Sequence, residues 1–187
     1  MKLEKMLGLI LAVGMMSSAP LMAADYVIDK KGQHASVNFK VSHLGFSYIT
    51  GRFNDFEGGF SHDPGNPSAS KVSVTINAKS VDTNHAERDK HLRSTDFLEV
   101  SKYPTITFES TAYAAGSGGD KLMGDLTIHG VTKAVSIDVN HIGEGADPWN
   151  GYRSGFAGSI VLKASDFDLP EWVGDIVISL NVEGVRQ

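Results

Sequence analysis

The sequence predicts a mostly β domain whose antiparallel strands share one apolar interior. Three observations predict it. Apolar and polar residues alternate with period two through most of the chain, turns rich in Gly and Pro separate the alternating segments, and a single stretch, residues 85–98, has the composition of a helix. Strands with one apolar face and short connections close up either as a sandwich or as a barrel. The abundance of Gly and one slip in the alternation favour the curvature of a barrel, and the sandwich stays open at this point.

Residues 1–23 stand apart from the rest. Lys2 and Lys5 precede an apolar run from Met6 to Met16, and small residues lead to Ala23 and Ala24. This is the layout of a cleaved secretory signal peptide, with a core too short for a permanent membrane span. Residues 24–187 then form a single domain. The chain has no Cys, so disulfides and thiolate metal sites are excluded and an exported domain must rely on its core and its sheet ladders. A formal net charge of −5 gives no basic face for a phosphate backbone, which excludes nucleic acid as the partner.

The elements follow in order. "DYVID" opens the domain as a short strand, and "HASVNFKVS" places Ala35, Val37, Phe39 and Val41 on one face. In "GRFNDFEGGFSHD" the apolar phase slips between Phe53 and Phe56, which predicts a bulge or a break between two strands, with Gly58 and Gly59 easing a sharp bend. "KVSVTINA", "PTITFES", "KLMGDLTIH", "AVSIDVN", "GFAGSIVLK" and "GDIVISLNVEG" supply the remaining strands. His129-Gly130 reads as a two-residue hairpin turn with positive φ at both positions. Further turns fall at "DPGNP" and "SGGD".

"NHAERDKHLR", Asn84 to Arg93, has the residue types of a metal or catalytic cluster. On a helix capped by Asn84, with Glu87 completing a capping box, Glu87 and His91 share one face while His85 and Asp89 lie about 200° round from them. One ion cannot collect all four. Charge pairs, Asp89 with Arg93 and Glu87 with Lys90, account for the composition, and the helix reads as a solvated cover. A hydrolytic triad of Asp29, His34 and Ser47 has the right residue types, but no nucleophile elbow surrounds Ser47.

Four blocks of the chain, "ADYVIDKKGQHASVNFKVSHLGFSYITGRFNDFEGGF", "SVDTNHAERDKHLRSTDFLEVSKYPTITFES", "GDLTIHGVTKAVSIDV" and "GADPWNGYRSGFAGS", closely resemble the YceI family of periplasmic polyisoprenoid-binding proteins. The resemblance runs from Ala24 to Gln187. It implies a lipocalin-like, extended eight-stranded antiparallel barrel around an apolar channel with one helix beside it. It also implies a periplasmic, non-enzymatic role in transport or sequestration of a polyprenyl chain or isoprenoid quinone. The lipid is the expected partner, with passing contact to a membrane or to membrane proteins, and no other cofactor and no metal are implied. The in-facing residues Val37, Phe39, Val41, Val74, Ile76, Phe108, Leu126, Ile137, Phe156, Ile178 and Leu180 are the candidate lipid contacts, although patterning alone does not separate a lined channel from a filled core. Arg88, Lys90, His91 and Arg93 are candidate head-group contacts. Two departures from the family pattern stand out: His129 takes the place of an Asn often found there, and "DLPEWVGD" makes a shorter connection near Trp172, leaving that end of the channel open in shape. The alternatives are a secreted hydrolase using Asp29, His34 and Ser47, or a solid-cored barrel that works as an interaction module.

Overall fold

The computed structural model describes residues 23–187; the signal peptide expected at residues 1–23 lies outside the described residues, but for Ala23. Eleven strand segments, β1 (Ala24–Ile28), β2 (Ser36–His43), β3 (Ser47–Phe53), β4 (Phe56–His62), β5 (Lys71–Asn77), β6 (Val81–Asp82), β7 (Thr105–Ala114), β8 (Asp120–Ile128), β9 (Val131–Ala146), β10 (Tyr152–Lys163) and β11 (Asp175–Arg186), form one antiparallel sheet. Around the barrel the order is β1-β4-β5-β7-β8-β9-β10-β11, and β1 pairs again with β11 to close it. The interior is therefore that of an eight-stranded barrel rather than a sandwich. β11 holds β1 along one part of its free edge, with Tyr26 opposite Arg186, and β2 along the other, with Val37 opposite Leu180. β1 with β2, β3 with β4, and β5 with β6 thus act as three long strands, each broken once.

The break expected between Phe53 and Phe56 separates β3 from β4. Beyond it the sheets close tightly: a Cβ on Gly58 would stand 2.2 Å from the carbonyl oxygen of Ser73, so only Gly lets β4 and β5 pair here. At the hairpin between β8 and β9, His129 (φ 52°) and Gly130 (φ 77°) make the expected turn, and a side chain on Gly130 would strike the ring of Tyr103 at 2.4 Å.

The helix is shorter than the composition implies. α1 spans Ala86–Leu92, not residues 85–98. Asn84 is not its cap; it takes a left-handed φ of 60°, and the Nδ1 of His85 accepts the N–H of Arg88 at 3.2 Å. Asp89 is buried and does not pair with Arg93: it accepts from the N–H (2.8 Å) and the hydroxyl (2.5 Å) of Thr83. The segment after α1 leaves the helix because polar side chains bind backbone, as with Ser94 Oγ to the carbonyl of His91 at 2.8 Å. One barrel end, the helix end, carries this segment together with the turns at 43–47, 129–130 and 164–174; the opposite end carries the loops at 63–70, 115–119 and 147–151 and both ends of the domain.

Candidate ligand channel

In-facing side chains from the closed ring and from the β2–β3 arm surround a cavity of about 190 Å³ inside the barrel. At the helix end its walls are Ile76, Ile106, Ile128, Leu162 and Ile178. Phe167, in the short turn Ala164–Phe167, packs beyond them against Ala78, Ile106 and Leu162 and closes that end. Toward the opposite end the lining passes through Val74, Phe108, Leu126, Ile137, Ile160 and Leu180 to Phe60, Phe156, Tyr113, Ser61, His62 and Ser70. Polarity is therefore confined to one end. The Tyr113 hydroxyl is itself committed there, donating to Asp120 Oδ2 at 2.5 Å, and burial together with Asp120 raises its pKa.

Nine of the eleven expected in-facing residues border the cavity: Val37, Val74, Ile76, Phe108, Leu126, Ile137, Phe156, Ile178 and Leu180. Phe39 and Val41 do not. The Phe39 ring lies over Gly51 and meets Phe53 at 5.9 Å between centroids, so it covers a neighbouring strand. Val41, paired with Ile49 and Ile176, sits further along toward the β2–β3 turn. Phe53, Phe56, Phe60, Leu122, Val139 and Val182 also border the cavity, and their place in the alternation could have found them. His62 was missed because a polar residue at a strand end reads as surface; its phase with Phe56 and Phe60 was the available signal.

None of Arg88, Lys90, His91 and Arg93 borders the cavity. Arg88 donates from Nε to Thr83 Oγ1 (2.8 Å) and from Nη2 to the Thr83 carbonyl (2.9 Å). Arg93 donates to the carbonyls of Lys79 (2.7 Å) and Val81 (2.5 Å). Both guanidiniums pin the helical segment to the chain leading into and out of β6, a structural task, and Lys90 is exposed. His91 lies 3.1 Å from Asp96 and stacks edge-on with Phe97, which meets Trp172 in turn. Trp172 is 77 % exposed, so Phe167 and not Trp172 closes the channel.

The triad does not assemble. Asp29 and His34 do meet, Oδ2 to Nδ1 at 3.0 Å, but Ser47 pairs with His43 at the far end of β2, roughly 25 Å away at about 3.3 Å per residue. Asp29 belongs instead to an ion-pair network: Arg153 reaches Asp29 (2.6 Å), Glu183 (2.5 Å) and Asp147 (2.7 Å). Arg153 first, then the N–H of Gly32 and the ring of His34, hold the Asp29 carboxyl down at about 2 from its usual 3.8. The folded state therefore binds its proton more weakly than the unfolded state. The stability this provides is fully present above pH 3.8 and is lost as pH falls through about 2. Asp29→Asn should lower the urea midpoint at neutral pH and match the parent protein near pH 2; an equal deficit at both would show that the charge is not what Asp29 contributes.

Comparison with known proteins adds four likenesses. Residues 26–184 match the YceI-like domain. A UPF0312 protein of Ectopseudomonas mendocina is 59 % identical over 171 residues, 89 % of this chain and 90 % of its own. Among solved structures, the Campylobacter jejuni YCEI protein superposes with a TM-score of 0.70 at 31 % identity, covering 79 % of this chain and 90 % of its own. A polyisoprenoid binding domain from Saccharophagus degradans shares the fold, with a TM-score of 0.63 at 16 % identity, covering 87 % of this chain and 98 % of its own.

Proposed function

The chain belongs to the YceI-like domain family, and from that membership we propose that it is a non-enzymatic periplasmic carrier that holds the chain of an isoprenoid lipid, a polyprenyl compound or isoprenoid quinone, inside its barrel. The observation that carries this reading is the apolar cavity along the barrel interior, polar at one end only. The shared fold of the Saccharophagus degradans polyisoprenoid binding domain supports it. At about 190 Å³ the cavity is smaller than the roughly 300–1,000 Å³ of compact small-molecule pockets, which favours a slender, flexible chain. Burial supplies about 2.5 kcal/mol per 100 Å² of apolar surface. Association costs roughly 4–15 kcal/mol. A chain must therefore bury several hundred Å² to be held, which selects lipids of several isoprene units over short ones.

Loading from a bilayer needs an apolar contact outside the barrel. Leu44 and Phe46, at the tip of the β2–β3 hairpin, are among the most exposed large apolar side chains, with Phe46 at 88 %, and Trp172 is exposed at the same barrel end. This tip is the membrane-contacting element. The test is native mass spectrometry of untagged protein from the periplasm, with extraction and identification of any bound lipid, followed by uptake from vesicles. A stoichiometric isoprenoid is expected. The double substitution Leu44→Ser and Phe46→Ser should slow uptake from vesicles while leaving uptake from detergent unchanged; equal rates from both sources would remove the tip's role. Protein that stays empty after incubation with prenyl lipids and quinones would overturn the reading in favour of a solid-cored interaction module.

A further inference from the structure

At the barrel end opposite the helix, β9 contains one residue more than its partner β10. Gly143 faces Gly155 and His141 faces Phe156, so Ile142 has no opposite number and is exposed. In a regular strand His141 and Glu144, three apart, would project to opposite faces. The bulge brings both side chains to one side of the strand, a re-aiming for which such bulges are used next to functional sites. His62, at the end of β4, enters from the other side: β4 and β9 are second and sixth in the closed ring of eight strands, directly across the barrel. One donor atom each of His62, His141 and Glu144 lies within 4.8 Å of the other two.

Each of the three side chains also has a hydroxyl beside it. Ser70 Oγ is 3.4 Å from His62 Nδ1, Ser154 Oγ is 3.3 Å from His141 Nε2, and the Tyr152 hydroxyl is 3.4 Å from Glu144 Oε1. Ser154 is fully buried. Such outer partners orient metal-binding imidazoles and carboxylates. Phe156 packs against both rings, at 5.2 Å from His62 and 4.8 Å from His141, and with His62 and Ser70 it borders the polar end of the channel. His62 is itself 6 % exposed.

We propose that His62, His141 and Glu144 form a binding site for a divalent transition-metal ion of the zinc type, bridging opposite walls of the barrel at this end. Two imidazoles and one carboxylate are a donor set that zinc takes with a fourth position left open, and that cobalt and nickel also accept. Donors around a tetrahedral ion stand roughly 3.4 Å apart, so side-chain rotations of about an ångström complete the site. Among the described residues the other three-donor group, Asp29, His34 and Glu183, already holds the guanidinium of Arg153 and does not compete. The site is independent of the lipid reading and is tested without lipid.

Untagged protein stripped with chelator should bind one Zn²⁺ in calorimetry, show a cobalt absorption band on Co²⁺ addition, and gain thermal stability with either ion. His141→Asn and Glu144→Gln should each weaken binding by about 100-fold or more, and Ser154→Ala by about 10-fold. Glu144 is exposed, so Glu144→Gln keeps the test valid if changes at His141 disturb folding. Absence of saturable binding, or binding that persists in both variants and is lost with the exposed His43 or His91, would overturn the proposal.

Discussion

Gly158→Leu should give a folded barrel that no longer takes up an isoprenoid chain. Gly158 lies in β10 between Val139 and Leu180 and borders the cavity. A Cβ there would stand 3.3 Å from Ile137 Cγ2 and 3.4 Å from Leu180 Cδ1, so alanine fits with adjustments of a few tenths of an ångström. The further carbons of leucine project into the cavity and narrow it between Ile137 and Leu180, where a lipid chain would have to pass. Overpacking of this kind costs about 1–3 kcal/mol, which a domain of this size tolerates. Lipid affinity should fall by about 100-fold, equivalent to roughly 2.7 kcal/mol, with Gly158→Ala close to the parent protein. Isothermal titration with a detergent-solubilised polyprenol, alongside circular dichroism, measures both. Unchanged affinity in a folded Gly158→Leu protein would place the lipid outside the barrel.

That prediction rests on a wall whose apolar residues were largely readable in the sequence, because period two fixes which side chains share a face. Val74 and Ile76, Ile178 and Leu180 needed nothing else. Closure needed more: it depends on β1 and β2 dividing one edge of β11 between them, and no local pattern encodes a pairing between the first strand and the last. Phe39 and Val41 obey the alternation, yet the β2–β3 arm carries them to Gly51 and Ile49, because phase gives a face and not a level along the barrel. Helix length was misjudged for a related reason. Residues 93–98 have helix-forming composition, but Ser94 spends its hydroxyl on the His91 carbonyl, which a continuing helix would leave to its own N–H groups, and Arg93 reaches out to the carbonyls of Lys79 and Val81. The group at His62, His141 and Glu144 was the least readable. Its residues are far apart in sequence, and the bulge that gathers two of them shows only in the register.

Phe167→Ala should produce the largest loss of stability of any substitution considered. The ring is 2 % exposed and packs against Ala78, Ile106, Ile128 and Leu162, where it closes the helix end of the channel. Truncating a buried Phe costs about 3–5 kcal/mol in lost burial and residual cavity. For a domain of this size each kcal/mol moves the melting temperature by roughly 2–4 °C, so a fall on the order of 10 °C is expected. Phe167→Leu keeps most of the apolar volume and should lose much less. The same truncation joins the vacated space to the channel, so Phe167→Ala should accept longer prenyl chains than the parent protein once both are compared at a temperature where both are folded. The two effects separate two roles for the turn at Ala164–Phe167. A large thermal loss with a longer accepted chain identifies Phe167 as a plug that sets ligand length. A loss under about 1 kcal/mol would instead mean that the turn is loosely held, since a residue whose removal costs so little contributes little burial to the fold and cannot be what closes the channel.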